Sequence, residues 1–291
     1  MNGQKIIVTG SNGQLGSELK QLASLYSNYQ FVFLSKEDAS LDNYKMIQKI
    51  ISSEKPSYLI NCAAYTAVDK AEIEIEQSDT INGIAVGQLA AACKSTGTHF
   101  LHISTDYVFN GISNRPLKES DTVDPLNQYG KSKLLGEQLA FKHNEETIII
   151  RTSWVYSVYG KNFVHTMMRL MRERKEINVV NDQIGSPTNA ADLALAIMTI
   201  IQSGKWIPGI YNFSNEGKIS WYDFAVAIKN LTHSPCIINP ISTKEFPTPA
   251  KRPAFSFLDK EKIVNTYKIK ITDWYVSLQK CINQINNKNS T

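Results

Sequence analysis

The chain has 291 residues, 42% hydrophobic and 20% charged, with a net charge of +4 at neutral pH: an ordinary globular composition, with room for one large α/β domain and an appendage or for two domains. No run of eighteen apolar residues occurs, and the chain enters Lys5-Ile6-Ile7-Val8 without space for a charged segment, an apolar run and a cleavage site, which argues against a membrane partner and for a cytoplasmic location. Four cysteines (Cys62, Cys93, Cys236, Cys281) without CxxC pairing and five histidines without ligand spacing argue against a metal or disulfide framework, and dispersed lysines argue against a nucleic-acid partner.

From Gln4 the sequence predicts a short apolar strand, a turn carrying Gly10, Gly13 and Gly16, and a helix through Leu22. Glycines there permit positive φ and let backbone N–H groups approach a pyrophosphate, whose charge suits a helix N-terminus. The spacing is GxxGxxG rather than GxGxxG, so a glycine turn that binds no nucleotide is the alternative, and position at the first strand of a βαβ series favours the nucleotide. A second strand, Gln30 to Leu34, ends in Ser35-Lys36-Glu37-Asp38. A small hydroxyl followed by a cation suits a ribose 2′-phosphate, so Lys36 favours NADPH, while Glu37 and Asp38 leave NADH open.

A helix near 43–53 and a strand, Tyr58 to Asn61, lead into Ala63-Ala64-Tyr65, small residues that would let a flat cofactor lie against the sheet edge. The pattern then predicts a helix from Thr80 to Lys94 and a strand from His99 to Ile103, ending in Ser104-Thr105-Asp106-Tyr107. Thr105 is placed to hydrogen-bond a substrate carbonyl or to cap a turn. After a polar loop from Asn110 to Asn127, Tyr129 and Lys133 stand four apart on one helical face. A neighbouring ammonium favours the phenolate and brings the phenol toward a working general acid.

A strand from Thr147 to Arg151 precedes Trp154, an apolar face for a sugar or base, or a packing residue between domains. Phe163, Met167, Leu170 and Met171 mark an amphipathic helix, Ala191 to Ile201 a long apolar one, Gly209 to Ser214 a further strand, and Ser220 to Asp223 a capped helix start. Strands separated by helices predict an α/β fold: a doubly wound, Rossmann-like parallel sheet with a smaller C-terminal substrate-binding domain. The expected boundaries are 1–152 for the dinucleotide-binding domain, with 187–215 returning to it, 153–186 and 216–285 for the smaller domain, and a frayed tail at 286–291.

Taken together, Gly13-Gln14-Leu15-Gly16, the stretch from Asn61 to Glu72, Ser104 to Phe109, Tyr129-Gly130-Lys131-Ser132-Lys133, Arg151 to Tyr156, Asp182 to Thr188 and Pro249 to Pro253 resemble the extended short-chain dehydrogenase/reductase family, and within it the dTDP-4-dehydrorhamnose reductases. The resemblance implies NAD(P)H-dependent reduction of the C4 ketone of dTDP-4-dehydro-6-deoxy-L-mannose, for polysaccharide biosynthesis. It implies Thr105, Tyr129 and Lys133 as catalytic residues. Thr66, Val68, Thr105, Asp106, Tyr107 and Trp154 would border the sugar, and Gly10, Gly13, Gln14, Leu15, Gly16, Lys36, Ser40, Leu41, Ala63, Ala64, Tyr65, Tyr129 and Lys133 the cofactor. Opposite face selectivity, giving dTDP-6-deoxy-L-talose, and a non-catalytic subunit like the regulatory one of methionine adenosyltransferase are the alternatives. Some such reductases form magnesium-linked dimers through two glutamates. Glu18 stands at the first position, but Ala191 stands at the second with Asp192 beside it, so magnesium is left open and a monomer or weak homodimer is expected.

Overall fold

The computed structural model describes residues 3–289. Five strands in chain order, β1 (Gln4–Thr9), β2 (Tyr29–Leu34), β3 (Tyr58–Asn61), β4 (His99–Thr105) and β5 (Ile148–Thr152), share one sheet with Gly209–Phe213. The order across it is Gly209–Phe213, β5, β4, β3, β1, β2, every neighbouring pair parallel. Alternate residues go to opposite faces: Ile6, Val8, Ile60, Leu101, Ile148 and Ile150 to one, Ile7, Leu59, Phe100 and Ile149 to the other. Both faces are covered, which is why Ile148-Ile149-Ile150 is a continuous apolar run.

The helix α1 (Gln14–Leu22) covers the first face with Ala190–Gln202, whereas α2 (Tyr44–Glu54), Ala85–Thr96 and Gln128–His143 cover the second. Burying a single one of these isoleucines contributes roughly 1.5–3 kcal/mol. Because β1 has β2 on one side and β3 on the other, the chain reverses direction across the sheet there, and the carboxyl ends of β1 and β3 form the switch point at which open α/β sheets hold ligands. Thr9 and Asn61 end these strands side by side.

A second core gathers Met167, Met171, Phe224, Ile228, Leu278 and Ile282 from the helices Phe163–Glu173, Trp221–Thr232 and Trp274–Asn289. Against them lies a parallel pair that the sequence reading lacks, Glu176–Val180 with Ile237–Ile241. Asn162 caps the first of these helices, and Ser220 with Asp223 forms a capping box on the second.

Three expectations change. The predicted Thr80–Lys94 helix is α-helical over Ile75–Asp79, widens into a π turn over Thr80–Ile84, and resumes over Ala85–Thr96. Asn82 in that turn bonds the backbone of Tyr65 twice, at 2.9 Å each, and its carbonyl packs where Gly136 lacks a side chain, so the extra residue serves a contact. The expected tail is helical as far as Asn289, anchored by buried Ile282 and Ile285, while 290–291 lie outside the described residues. Finally, Ile263, Tyr267 and Ile269 join the core under the sheet, so part of the 216–285 stretch packs with the first lobe.

Candidate active site

The turn after β1 is shaped by what cannot fit there. Gly10 adopts φ +66°, and a Cβ on it would meet Ala63 N at 2.7 Å; one on Gly16 would strike the Gly10 carbonyl. Gly13 opens α1 with no side-chain cap, unlike the helices that begin after Asn127, Asn162, Asn189 and Ser220. The first-turn N–H groups of α1 are thus claimed by no side chain, at the positive end of a helix beside the switch point. That arrangement fits a dinucleotide pyrophosphate.

Around it, Leu15 and Leu41 bury their side chains in the core and have only backbone to offer a ligand. Gln14 bridges to the far lobe, donating to Val155 O (3.4 Å) and accepting from Asn162 Nδ2 (3.0 Å). Lys36 is exposed beyond β2, and Ser40 precedes a single turn at Leu41–Asn43. Asp38 accepts from Ser35 N at 2.9 Å, a bond that lowers its pKa and turns the carboxylate into the loop. Ala63 abuts Gly10, Ala64 follows, and Tyr65 is fixed by Asn82.

Thr105 ends β4, donating to Asp106 Oδ1 (3.0 Å) and accepting from Tyr107 N (3.2 Å), so it caps the turn that the sequence reading offered as its alternative role. Tyr129 arrives from Gln128–His143, whose start is capped by Asn127 and pressed against the Tyr107 carbonyl because Gly130 has no Cβ. The Tyr129 ring meets that of Tyr107 edge-on, centroids 5.7 Å apart, and its phenol lies near enough to the Thr105 hydroxyl for Thr105 to lower its pKa. Lys133, one turn on, is buried; its Nζ donates to Ile103 O (2.6 Å) and lies 3.2 Å from His102 Nε2. Thr105, Asp106, Tyr107, Tyr129 and Lys133 are therefore one cluster at the carboxyl end of β4.

Its electrostatics correct one expectation. The Tyr129 phenol is not lowered: burial pushes it up to about 12, Thr105 pulls it down and Asp106 raises it further. Burial also brings Lys133 down to about 8 against the pull of Glu137. Desolvation of the phenolate dominates, and Lys133, whose Nζ is engaged with Ile103 O and His102, is not among the groups that lower it. Asp106 is driven up to about 7 by burial, opposed by the nearby Ser256 hydroxyl and by the hydrogen bond from Thr105.

Thr66 and Val68 sit just before Asp69, which Arg252 grips with both guanidinium nitrogens. Trp154, two residues past β5, takes φ +48°, unusual for a large side chain, and stacks on Trp221 at 3.7 Å, with Gly185 close to its Cε2 and Cζ2. One face of the indole is therefore occupied by protein, as the packing alternative expects. Sequence reasoning missed Asn82, His102, Trp221 and the Asp69–Arg252 pair, whose partners are far apart along the chain.

The magnesium of related dimers does not fit. Glu18 is buried and accepts from Ser157 Oγ at 2.6 Å, burial raising its pKa; Asp192 accepts from Asn215 and Ser277. No group of three or more His, Cys, Asp or Glu able to hold a metal occurs among the described residues.

Comparison with known proteins shows the family. The RmlD substrate binding domain family matches residues 4–287. A dTDP-4-dehydrorhamnose reductase of Aggregatibacter actinomycetemcomitans is 41% identical over 286 residues, 94% of this chain and 97% of the relative. A crystal structure of the reductase of that name from Bacillus anthracis in complex with NADP superposes with a TM-score of 0.93 at 37% identity, covering 97% of this chain and 99% of that one. The Clostridium acetobutylicum structure gives 0.92 at 39% identity, covering 97% and 100%. The chain belongs to the dTDP-4-dehydrorhamnose reductase family, within the extended short-chain dehydrogenase/reductase fold.

Proposed function

We propose that this chain reduces the C4 ketone of dTDP-4-dehydro-6-deoxy-L-mannose to dTDP-L-rhamnose, using NADPH, or NADH in its place. The observation that carries the reading is the Tyr129 phenol, beside Thr105 at the carboxyl edge of the sheet, with Lys133 one helical turn behind it. The cofactor supplies the hydride.

The chain's own residues do the rest. The α1 N-terminus with Gly10, Gly13, Gln14, Leu15 and Gly16 holds the pyrophosphate, and Lys36 with Ser40 and Leu41 borders the adenosine ribose. Ala63, Ala64 and Tyr65 line the cofactor's path, and Lys133 holds the nicotinamide ribose. With substrate bound, the Thr105 hydroxyl turns from Asp106 Oδ1 to donate a hydrogen bond to the C4 oxygen, and Tyr129 protonates it. A phenol at about 12 is fully protonated at neutral pH, and an alkoxide is the stronger base, so the transfer runs downhill. Asp106, Tyr107, Thr66, Val68 and Trp154 border the sugar.

Residues 1–152 with 187–215 act as the dinucleotide-binding domain, and 153–186 with most of 216–285 as the nucleotide-sugar domain. The unfit magnesium site supports a monomer or weak homodimer. The test is NADPH oxidation with the 4-dehydro sugar, followed by NMR of the product. dTDP-L-rhamnose supports the proposal, dTDP-6-deoxy-L-talose reverses the face selectivity, and absence of oxidation refutes the reductase.

A further inference from the structure

Beneath Tyr129 a line of polar side chains crosses the sheet interior. Thr9, Asn61 and His102 are fully buried and Lys133 is 2% exposed. Thr9 Oγ1 lies 2.6 Å from Asn61 Oδ1, Asn61 Nδ2 3.0 Å from His102 Nδ1, and His102 Nε2 3.2 Å from Lys133 Nζ. These residues come from β1, β3, β4 and the Tyr129 helix. Lys133 forms no ion pair among the described residues. The acid one turn along, Glu137, gives both oxygens to Arg151 of β5. The other titratable neighbours are Tyr129 on the same helix and Asp106 beyond β4.

Hydrogen-bond logic ties the arrangement of this line to the charge on Lys133. An ammonium at Lys133 must donate to Nε2, so the single imidazole proton sits on Nδ1 and donates to the Asn61 carbonyl, while the Asn61 amide nitrogen donates to Thr9. A neutral amine keeps two N–H donors but gains a lone pair, so it alone can accept from an Nε2–H; in that arrangement Nδ1 accepts from the Asn61 amide and the Thr9 hydroxyl donates to the Asn61 carbonyl. Heavy-atom positions are the same in both. The states differ by one proton, released from Lys133 to solvent on titration, with the imidazole proton moving from Nδ1 to Nε2 and the Asn61 amide turning over.

We propose that His102, backed by Asn61 and Thr9, is a positioning residue for Lys133, its tautomer following the lysine's charge so that Nζ keeps a satisfied partner in either form. A buried lysine near pH 8 needs such a partner, since an unsatisfied polar group inside the protein is strongly unfavourable. The inference deepens the proposed role of Lys133 and rests on it for turnover, but not for the tautomer.

The direct test is ¹⁵N NMR of the histidine rings in the intact protein between pH 6 and 10, with His102 assigned by its loss in His102→Gln. The ring should carry its proton on Nδ1 at pH 6 and on Nε2 at pH 10. A single tautomer throughout would overturn the inference, whether or not the chain reduces a sugar. In turnover, His102→Phe should move the alkaline limb of kcat/KM down by about one pH unit or more, because a charge-assisted hydrogen bond is lost, and His102→Gln should restore it. An unmoved limb in folded, NADPH-binding His102→Phe counts against it equally.

Discussion

Arg252 reaches across the chain to Asp69 with both arms of its guanidinium, Nη1 at 3.0 Å and Nη2 at 2.9 Å. The fork pins 248–252 beside the stretch holding Thr66 and Val68, and Asn127, the cap of the Tyr129 helix, holds the same segment through Lys251 O at 2.7 Å. Both partners are partly exposed, so the pair is worth only ~1 kcal/mol. Arg252→Ala should accordingly raise KM for the dTDP sugar about fivefold with kcat little changed. Arg252 lowers the Asp69 pKa, so this contribution is present above the ordinary carboxylate pKa and fades as pH falls through the lowered value. Steady-state kinetics at pH 7, and stability of both proteins followed into acid, check the two parts.

Tyr129→Phe keeps the ring packed against Tyr107 and removes only the proton donor. Turnover should fall by ~10²–10⁴-fold, with NADPH affinity, read by its fluorescence, unchanged. Activity within tenfold of the parent would refute the acid assignment.

Asp106 prescribes a stability profile. Its folded pKa, about 7, lies above the ordinary carboxylate value, so the folded state binds more protons than the unfolded one between about pH 4 and 7. Stability therefore declines through that window as pH rises and levels off above it. Asp106→Asn removes the titration, and its melting temperature relative to the parent should rise between pH 5 and pH 8 by at least ~2–4 °C, the shift of about one kilocalorie in a domain of 150–250 residues. A constant difference at the two pH values would contradict this.

Trp221→Ala would strip the support from one face of Trp154 and open a gap beside Phe163 and Phe224. A loss of ~3 kcal/mol in stability is expected, with a higher KM for the sugar and an unaltered Kd for NADPH. Trp221→Phe keeps a ring in place and should recover most of both. Urea melts and titrations of each ligand separate the effects.

Neither EDTA nor millimolar magnesium should change the molecular mass in solution or the rate. Glu18 is committed to Ser157 and Asp192 to Ser277 and Asn215, and Ala191 has no donor. Light scattering and turnover with and without chelator would show it.

The sheet and the cluster of Thr105, Tyr129 and Lys133 are legible because they use short-range signals. Strand alternation, the glycines at 10, 13 and 16, and a tyrosine and lysine one turn apart are local patterns with direct geometric meaning. What stayed hidden depends on distant partners. Glu176–Val180 pairs with a strand some sixty residues away, and its sequence is too short and mixed to announce it. The π turn at Thr80–Ile84 answers to Tyr65 and Gly136, not to its own propensity. His102 on an apolar strand looks like any core histidine until Lys133 is folded over it. The phenol's direction was misjudged for the same reason: spacing shows a nearby cation, whereas burial, set by the whole fold, decides the balance.

The path of the chain between its two cores carries one further consequence. Gly209–Phe213 returns to the sheet, the chain leaves for Trp221–Thr232, comes back with Ile263 and Tyr267, and departs again for Trp274–Asn289. Neither half is a contiguous fragment that could be excised, expressed alone or exchanged with a cousin's as a cassette. New sugar preferences in this lineage have to be reached by single replacements within an indivisible scaffold.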